Sequence, residues 1–232
     1  MDLDQSTVQL LLETNRKYHL TSPGLLSSRD CEGYASHLQE LRIADVAFAN
    51  RLEDILSELK QKEPDRMKRL EELPDVVAVD VGSSYMPYAR PLRKVLSAMN
   101  PHTRIYAVDY NPDVIANFDR DNDSGVRFVG GYAEELQKLL AGEEETRVDV
   151  LFLFNPVPTH VFPELNARDN PILNNAILIG TADGFDSQAT RHYARGLTRN
   201  NFRTIITKPN PLGKLFRMYN YSPWFAAVPE AA

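Results

Sequence analysis

The sequence has a single cysteine, no long apolar run and no excess of positive charge. With Cys31 alone among 232 residues, no disulfide can form within the chain, which is typical of a reducing compartment. No segment approaches the roughly 18 consecutive apolar residues of a membrane span. The acidic start MDLDQSTVQL lacks the basic region of a secretory signal. We therefore expect a cytoplasmic protein that spans no membrane.

The formal net charge of -6 also limits the partners. General binding to nucleic acid needs a basic surface that neutralises phosphates, so it is disfavoured here. Apolar residues make up 43% of the chain and charged residues 25%, as is usual for a globular protein. A chain of this length can form one sizeable domain with an appendage. The sequence leaves the oligomeric state open, including a homodimer.

The first part of the chain, residues 1–70, reads as helical. Ser6 or Thr7 can cap a first helix, and the Pro/Gly/Ser-rich stretch 21–28 interrupts the helical pattern. A second helix is predicted over 37–62, because apolar residues recur there at three- and four-residue steps. These residues are Leu38, Leu41, Ala44, Val46, Phe48, Leu52, Ile55 and Leu59. We expect this stripe to pack over or beside the ligand end of the following domain, and residues 1–70 to be removable with weakened but retained folding.

The second part, residues 71–232, alternates strand and helix signals. This alternation predicts a parallel sheet with helical crossovers. Helices are predicted at 88–99, from 112 onward, at 133–141 and at 187–198, and strands at 76–81, 104–110, 126–129, 148–154 and 176–179. Two further strands, 202–207 and 215–221, are separated by a turn too short for a parallel crossover, so they are predicted to pair antiparallel.

The end of the first strand carries the sequence Asp80-Val81-Gly82-Ser83-Ser84. A glycine in a tight strand-to-helix turn lets the backbone approach a ligand, because it has no Cβ. Asp80 is placed to hold the turn or to accept a hydrogen bond from a ligand. An ordinary turn between a strand and a helix explains the same residues equally well.

Two other strand ends carry polar residues. Asp109 closes the second strand, where a carboxylate can accept the two hydroxyls of a ribose. It can also cap a helix that starts at Pro112. Asn155 ends the apolar fourth strand and is followed by Pro156-Val157-Pro158. Ligands in open α/β sheets bind beyond the carboxyl ends of strands, so Asn155 points at a pocket or belongs to a rigid loop.

Four of these segments resemble the motifs of the class I S-adenosylmethionine-dependent methyltransferases. VVAVDVGSSYMPYA is similar to the first motif, IYAVDYNP to the second, VRFVGGYAEEL to the third and VDVLFLFNPVP to the fourth. The resemblance covers roughly residues 73–228. It implies a doubly wound α/β domain with a mostly parallel seven-stranded sheet and an antiparallel last strand. Residues 1–70 then form an N-terminal helical cap in front of the Rossmann-like domain 71–232.

The resemblance also implies S-adenosylmethionine as the cofactor and a role for each motif. The turn after the first strand holds the methionine part, Asp109 binds the ribose, and the ring of Tyr132 stacks on the adenine. The cofactor-binding residues implied in this way are Asp80, Gly82, Ser83, Ser84, Tyr85, Asp109, Tyr110, Tyr132 and Asn155.

The chain departs from the family pattern at several positions. Ser84 and Met86 stand where the family repeats glycine, and Tyr132 stands where it often has an aspartate near the adenine. Val157 and Pro158 break the Asn-Pro-Pro-aromatic signature of amino-group methyltransferases. The five histidines show no metal-ligand spacing, so no metal site is predicted.

Three functions follow from these patterns. The first is a methyltransferase that acts on a small molecule or a protein. Methyl transfer depends mainly on positioning, so the lack of an evident nucleophile is no objection and no catalytic residue is assigned. The second is a catalytically inactive fold that serves as a binding or regulatory protein, which the missing glycines favour. The third is a dinucleotide-binding protein, disfavoured because Ser84 replaces the glycine that admits a pyrophosphate.

Overall fold

A computed structural model gives the fold of most of the chain. The structure describes residues 5–18, 35–82, 89–111, 125–154, 167–181, 196–208 and 224–230. No helix among these residues is both long enough and apolar enough to cross a membrane.

Three helices precede the sheet. They are α1 (Gln5–Tyr18), α2 (Ala35–Lys62) and α3 (Pro64–Glu72). The prediction of the first two is confirmed, and the segment 21–28 between them lies outside the described residues. Pro64 opens α3 at its first turn, where a proline costs nothing because the N–H it lacks has no partner inside the helix.

The predicted alternation of strands and helices is confirmed. Helices α4 (Ala89–Met99) and α5 (Leu136–Gly142) and two short 3-10 turns, Ala133–Glu135 and Pro171–Leu173, lie between strands. Residues 196–199 are also helical, whereas the rest of the helix predicted at 187–198, and the one from 112, lie outside the described residues. The strands are β1 (Val76–Val81), β2 (Thr103–Asp109), β3 (Val126–Gly130), β4 (Val150–Leu153), β5 (Ile177–Thr181), β6 (Phe202–Lys208) and β7 (Trp224–Pro229).

The seven strands form one sheet in the order β3-β2-β1-β4-β5-β7-β6. β1 pairs in parallel with both β2 and β4, so the strand order reverses between β1 and β4. In open α/β sheets the crevice at such a reversal, outside the carboxyl ends of the strands, is where ligands bind. The topology therefore puts the ends of β1, β2 and β4 around one crevice.

The antiparallel last strand is confirmed, but its position differs from the prediction. β7 is Trp224–Pro229, and the predicted range 215–221 lies outside the described residues. β7 is also not at the edge of the sheet, since it lies between β5 and β6 and is antiparallel to both. All six of its residues are buried. WFAAVP is apolar throughout, as expected of a strand buried on both faces, whereas LFRMYNY contains Arg217 and Asn220.

Helices α2 and α3 share one hydrophobic core with the sheet. Their buried residues Leu52, Ile55, Leu59, Met67 and Leu70 belong to the same cluster as residues from six of the strands, among them Ala78, Ala107, Phe152, Ile179, Ile206 and Ala226. A second cluster covers the other face of the sheet, around α5 and residues such as Val79, Val108, Leu151 and Leu178. Helices α2 and α3 thus contribute to the domain's core, and the proposed division at residue 70 stays a prediction.

Helix α2 runs along the sheet from its carboxyl edge to its amino edge. Near the carboxyl edge Phe48 packs on Phe154 and Trp224, with 5.0 Å between ring centroids in each pair. At the amino edge Glu63, directly after the helix, forms an ion pair of 2.5 Å with Arg203. α2 begins at Ala35, so residues 35–45, about 16 Å of helix at 1.5 Å per residue, precede Val46, which lies in the core shared with the sheet.

Helix α1 lies beside α2, next to Asn50 and Glu53, and runs in the same direction. Asn50 donates to the Thr14 hydroxyl at 3.1 Å, and Lys17 pairs with Glu53. The start of α1 is therefore also carried toward the ligand end of the sheet. The expectation that the N-terminal helices form a cap at the ligand end stays a prediction.

Candidate functional site

Asp80 is buried at the carboxyl end of β1. Its side chain follows Val76 and Ala78 on the face of the sheet covered by α2 and α4, because strand side chains alternate between faces. Its neighbours in the sheet are Ala107 on β2 and Phe152 on β4. Only 3% of the residue is exposed. A carboxyl group is therefore held in a largely apolar setting at the strand reversal.

The Asp80 carboxyl is not satisfied within the described structure. Its Oδ1 is buried and accepts no hydrogen bond there. Burial, and then the negative charge of Asp109 on the neighbouring strand, raises the pKa of the Asp80 carboxyl well above its usual range. A buried acceptor with no donor among the described residues costs stability.

Gly82 makes the turn that follows β1. Its φ of +69° lies in the left-handed region that favours glycine. Its N–H donates to the carbonyl of Val108 on β2 at 2.9 Å. A Cβ at this position would meet nothing within 4 Å, so the glycine is required by the backbone conformation and leaves open space at the turn.

Asp109 ends β2 one strand away from Asp80 and is 8% exposed. Its Oδ1 accepts a hydrogen bond from the N–H of Asn111 at 2.9 Å, and its carbonyl accepts one from Gly131 at 2.9 Å. The carboxylate thus shapes its own loop, as the capping alternative suggested. A carboxylate has about four acceptor positions, so this bond does not prevent it from also binding a ribose.

Tyr110 and Tyr132 stack on each other at the ends of β2 and β3. Their ring centroids are 5.6 Å apart with an interplanar angle of 6°, and the residues are 68% and 58% exposed. The sequence predicted each residue separately. The pairing of β2 with β3 brings the two rings together, and it was the missing signal.

A cluster of aromatic rings beside the site was not predicted. Phe48, Phe154 and Trp224 pack with centroids 5.0–5.1 Å apart. They come from a helix and two strands that are distant in sequence, so no local pattern reveals them. Phe154 directly precedes Asn155, and the cluster therefore anchors the end of the fourth motif to α2.

The other predicted site residues lie outside the described structure. They are Ser83, Ser84, Tyr85 and Asn155. Their roles stay predictions. Among the residues that the structure does describe, no group of three or more His, Cys, Asp or Glu side chains is arranged to hold a metal ion.

Comparison with known proteins tests the fold. A scan against protein-family models finds no match, and a search of curated proteins finds no relative. Among solved structures, the chain is similar to fibrillarin from Aeropyrum pernix, crystallised with natively bound S-adenosyl-L-methionine. The TM-score is 0.50 with 15% identity, over 66% of each chain. The fold is that of the class I methyltransferases.

Two further structures are similar at lower scores. TnmH matches with a TM-score of 0.49 and 14% identity, over 97% of this chain and 68% of its own. LepI in complex with SAM matches with a TM-score of 0.49 and 10% identity, over 71% of this chain and 46% of its own. At 15% identity the fibrillarin match shows the class I methyltransferase fold, which agrees with the resemblance found in the sequence.

Proposed function

We propose that this chain is an S-adenosylmethionine-dependent methyltransferase that acts on a small molecule or a protein. The observation that carries the proposal is the Asp80 carboxyl, buried with an unpartnered oxygen at the strand reversal of a methyltransferase fold. The neighbouring Asp109 adds a second carboxylate at the same edge. The fibrillarin that shares this fold was crystallised with S-adenosyl-L-methionine bound.

The charge of the site favours this cofactor over a dinucleotide. Burying two carboxylates near each other is unfavourable, because both carry negative charge away from water. A ligand that brings hydrogen-bond donors and positive charge compensates this cost. S-adenosylmethionine brings an ammonium group, a sulfonium and ribose hydroxyls. The pyrophosphate of a dinucleotide would instead place negative charge at the Gly82 turn, close to Asp80.

We assign each described residue a part of the cofactor. Asp80 and the Gly82 turn take the methionine part, Asp109 takes the ribose, and Tyr110 and Tyr132 take the adenine. Ser83, Ser84, Tyr85 and Asn155 belong to the same proposal on the strength of the sequence motifs alone. The bound sulfonium supplies an activated methyl group, so the chain needs only to orient the acceptor in line and exclude water.

The N-terminal helices form the wall of the acceptor site in this proposal. Residues 35–45 of α2 precede the part of the helix that packs at the carboxyl edge of the sheet, and α1 runs beside α2 in the same direction. The cluster of Phe48, Phe154 and Trp224 fixes α2 to the end of β4. A wall built in this way lies where an acceptor has to approach the cofactor.

Calorimetric titration with S-adenosylmethionine, S-adenosylhomocysteine and NAD tests the proposal. We expect both adenosyl ligands to bind and NAD not to bind. An assay for S-adenosylhomocysteine formation then separates an enzyme from the alternative, a catalytically inactive methyltransferase-like fold that binds or regulates a partner. That alternative is supported by Ser84 and Met86, which replace glycines of the family's first motif. Binding of NAD alone would contradict both functions.

A further inference from the structure

The surroundings of Asp80 leave its charge with little compensation. β4 presents Phe152 and Phe154 on this face, and β2 presents Ala107 and Asp109. The helical layer over the face adds apolar residues and one neutral phenol, namely Phe48, Leu52, Leu92 and Tyr18. The basic residues of α4, Arg90, Arg93 and Lys94, lie on the exposed side of that helix.

A carboxylate in this position has two ways to avoid an uncompensated buried charge. It can hold a proton, or it can accept hydrogen bonds from a cationic ligand. The unpartnered Oδ1 shows that the described residues supply no donor to that oxygen. Asp109 makes the ionised form less favourable still, because it brings a second negative charge from the next strand.

We propose that Asp80 holds a proton in the free protein and releases it to solvent when the ammonium group of the cofactor's methionine part binds. The O–H bond of the carboxyl breaks, the proton passes to the buffer, and the carboxylate accepts a hydrogen bond from the ammonium. No electron changes hands. This inference rests on the proposed function and adds to it a dependence of cofactor affinity on pH.

The proposed proton release determines how strongly the cofactor affinity depends on pH. While the free carboxyl is protonated, each unit of falling pH weakens binding by about tenfold, because one proton competes with the ligand. The affinity stops changing once the pH is high enough for the free carboxyl to be ionised. A fall in pH thus slows the enzyme through cofactor binding rather than through the methyl transfer itself.

Calorimetric titration in buffers with different ionisation enthalpies measures the number of protons released. We expect S-adenosylmethionine and S-adenosylhomocysteine to release up to one proton per ligand in the pH range above the usual carboxyl pKa of about 3.9 and below the raised pKa of free Asp80. 5′-Methylthioadenosine keeps the adenine and ribose but lacks the ammonium, so it should bind without this release. Asp80→Asn should abolish the release, whereas Glu134→Gln, which removes an exposed carboxylate at the same edge, should leave it unchanged.

Two results would overturn the inference. Tight cofactor binding without proton release would show that Asp80 is already ionised, and the proposed function would stand. Absence of any adenosyl-ligand binding would remove the proposed function and this inference together. A carbon-detected NMR titration of the wild-type carboxyl gives an independent reading if Asp80→Asn does not fold. We expect the Asp80 carboxyl of the free protein to stay neutral well above the usual carboxyl pKa of about 3.9, and an ordinary titration near that value would overturn the inference.

Discussion

The Asp80 carboxyl affects two properties in opposite directions. It lowers the stability of the free protein near neutral pH, and it contributes to cofactor binding in the proposed function. Burial and the charge of Asp109 raise its pKa, so the folded state binds a proton more tightly than the unfolded state does. Its contribution to stability is therefore present at acid pH and is lost as the pH rises above the usual carboxyl value of about 3.9. This is the opposite of the common case, in which a paired carboxylate stabilises the fold at neutral pH.

Asp80→Asn should therefore stabilise the free protein near neutral pH. We expect its free energy of unfolding to exceed that of the wild type at about pH 7 and the difference to shrink toward about pH 4, because the destabilisation of the wild type develops as the pH rises above the usual carboxyl pKa of about 3.9. Urea denaturation at both pH values measures the difference. The same substitution should weaken S-adenosylmethionine binding. An equal difference at both pH values would contradict a buried, ionisable Asp80.

Substitutions of Asp109 test its proposed role in binding the ribose. Charge-assisted hydrogen bonds contribute about 1.5–3 kcal/mol, so Asp109→Ala should weaken cofactor binding by roughly 10- to 150-fold. Asp109→Asn should lose less, since its amide oxygen still accepts one bond. Both variants lose or weaken the bond to Asn111 N–H, which should cost about 1 kcal/mol of stability. Titration and thermal unfolding on both variants measure the two effects. Lowered stability with unchanged affinity would leave Asp109 with a loop role only.

At the scale of elements, α2 determines whether the N-terminal segment is an appendage or part of the core. Leu59 is fully buried against the sheet, whereas its neighbour Lys60 is exposed and pairs with Glu71 at 2.8 Å. Leu59→Ala should lower the free energy of unfolding by about 2–5 kcal/mol, as core truncations do. Lys60→Ala, the matched control, should cost less than about 1 kcal/mol. Denaturant unfolding measures both, and equal small effects would mean that α2 is not part of the core.

The amino edge of the sheet is stabilised by a buried polar cluster. The Tyr106 hydroxyl donates to the Glu145 carboxylate, which also pairs with Arg104. Burial, and then this hydrogen bond, raises the pKa of Tyr106 to about 12. Because the folded state keeps the phenol proton longer than the unfolded state, this contribution is complete below about pH 10 and is lost between about pH 10 and 12.

Tyr106→Phe should show this loss as a pH-dependent difference. Below about pH 10 the variant should be less stable than the wild type by about 1–3 kcal/mol, since the bond to a charged acceptor is missing. The difference should shrink as the pH rises toward about 12. Alkaline denaturation curves of the two proteins measure it. A difference that stays constant over this range would contradict the raised pKa.

At the scale of the whole molecule, the core unites the N-terminal helices with the sheet. The sequence led to the expectation that a chain without residues 1–70 still folds. The structure changes this expectation, because that deletion removes Leu52, Ile55, Leu59, Met67 and Leu70 from the core. We expect a chain without residues 1–70 to show no cooperative unfolding transition. A chain without residues 1–34, which keeps α2 and α3, should still unfold cooperatively. Circular dichroism during heating distinguishes the two.

The sequence predicts the features of this structure that depend on local patterns and misses those that depend on contacts between residues distant in sequence. Strands such as 76–81 and the helix over 37–62 were predicted well, because local apolar patterns specify them. β7 was misplaced because LFRMYNY also has the aromatic and apolar residues of a strand, whereas the pairing with β5 and β6 that defines Trp224–Pro229 as β7 depends on tertiary structure. The stacking of Tyr110 on Tyr132 and the contact of Phe48 with Trp224 depend on tertiary structure, so sequence patterns do not reveal them.

A crystal structure of the chain with S-adenosylhomocysteine tests the central claim most directly. We expect the ligand to bind at the carboxyl ends of β1 and β2. Asp80 Oδ1 should lie within about 3 Å of the ligand's ammonium nitrogen, and Asp109 should lie within hydrogen-bond distance of the ribose hydroxyls. A ligand bound elsewhere, or bound here with Asp80 Oδ1 still lacking a donor, would contradict the proposed role of Asp80 in cofactor binding.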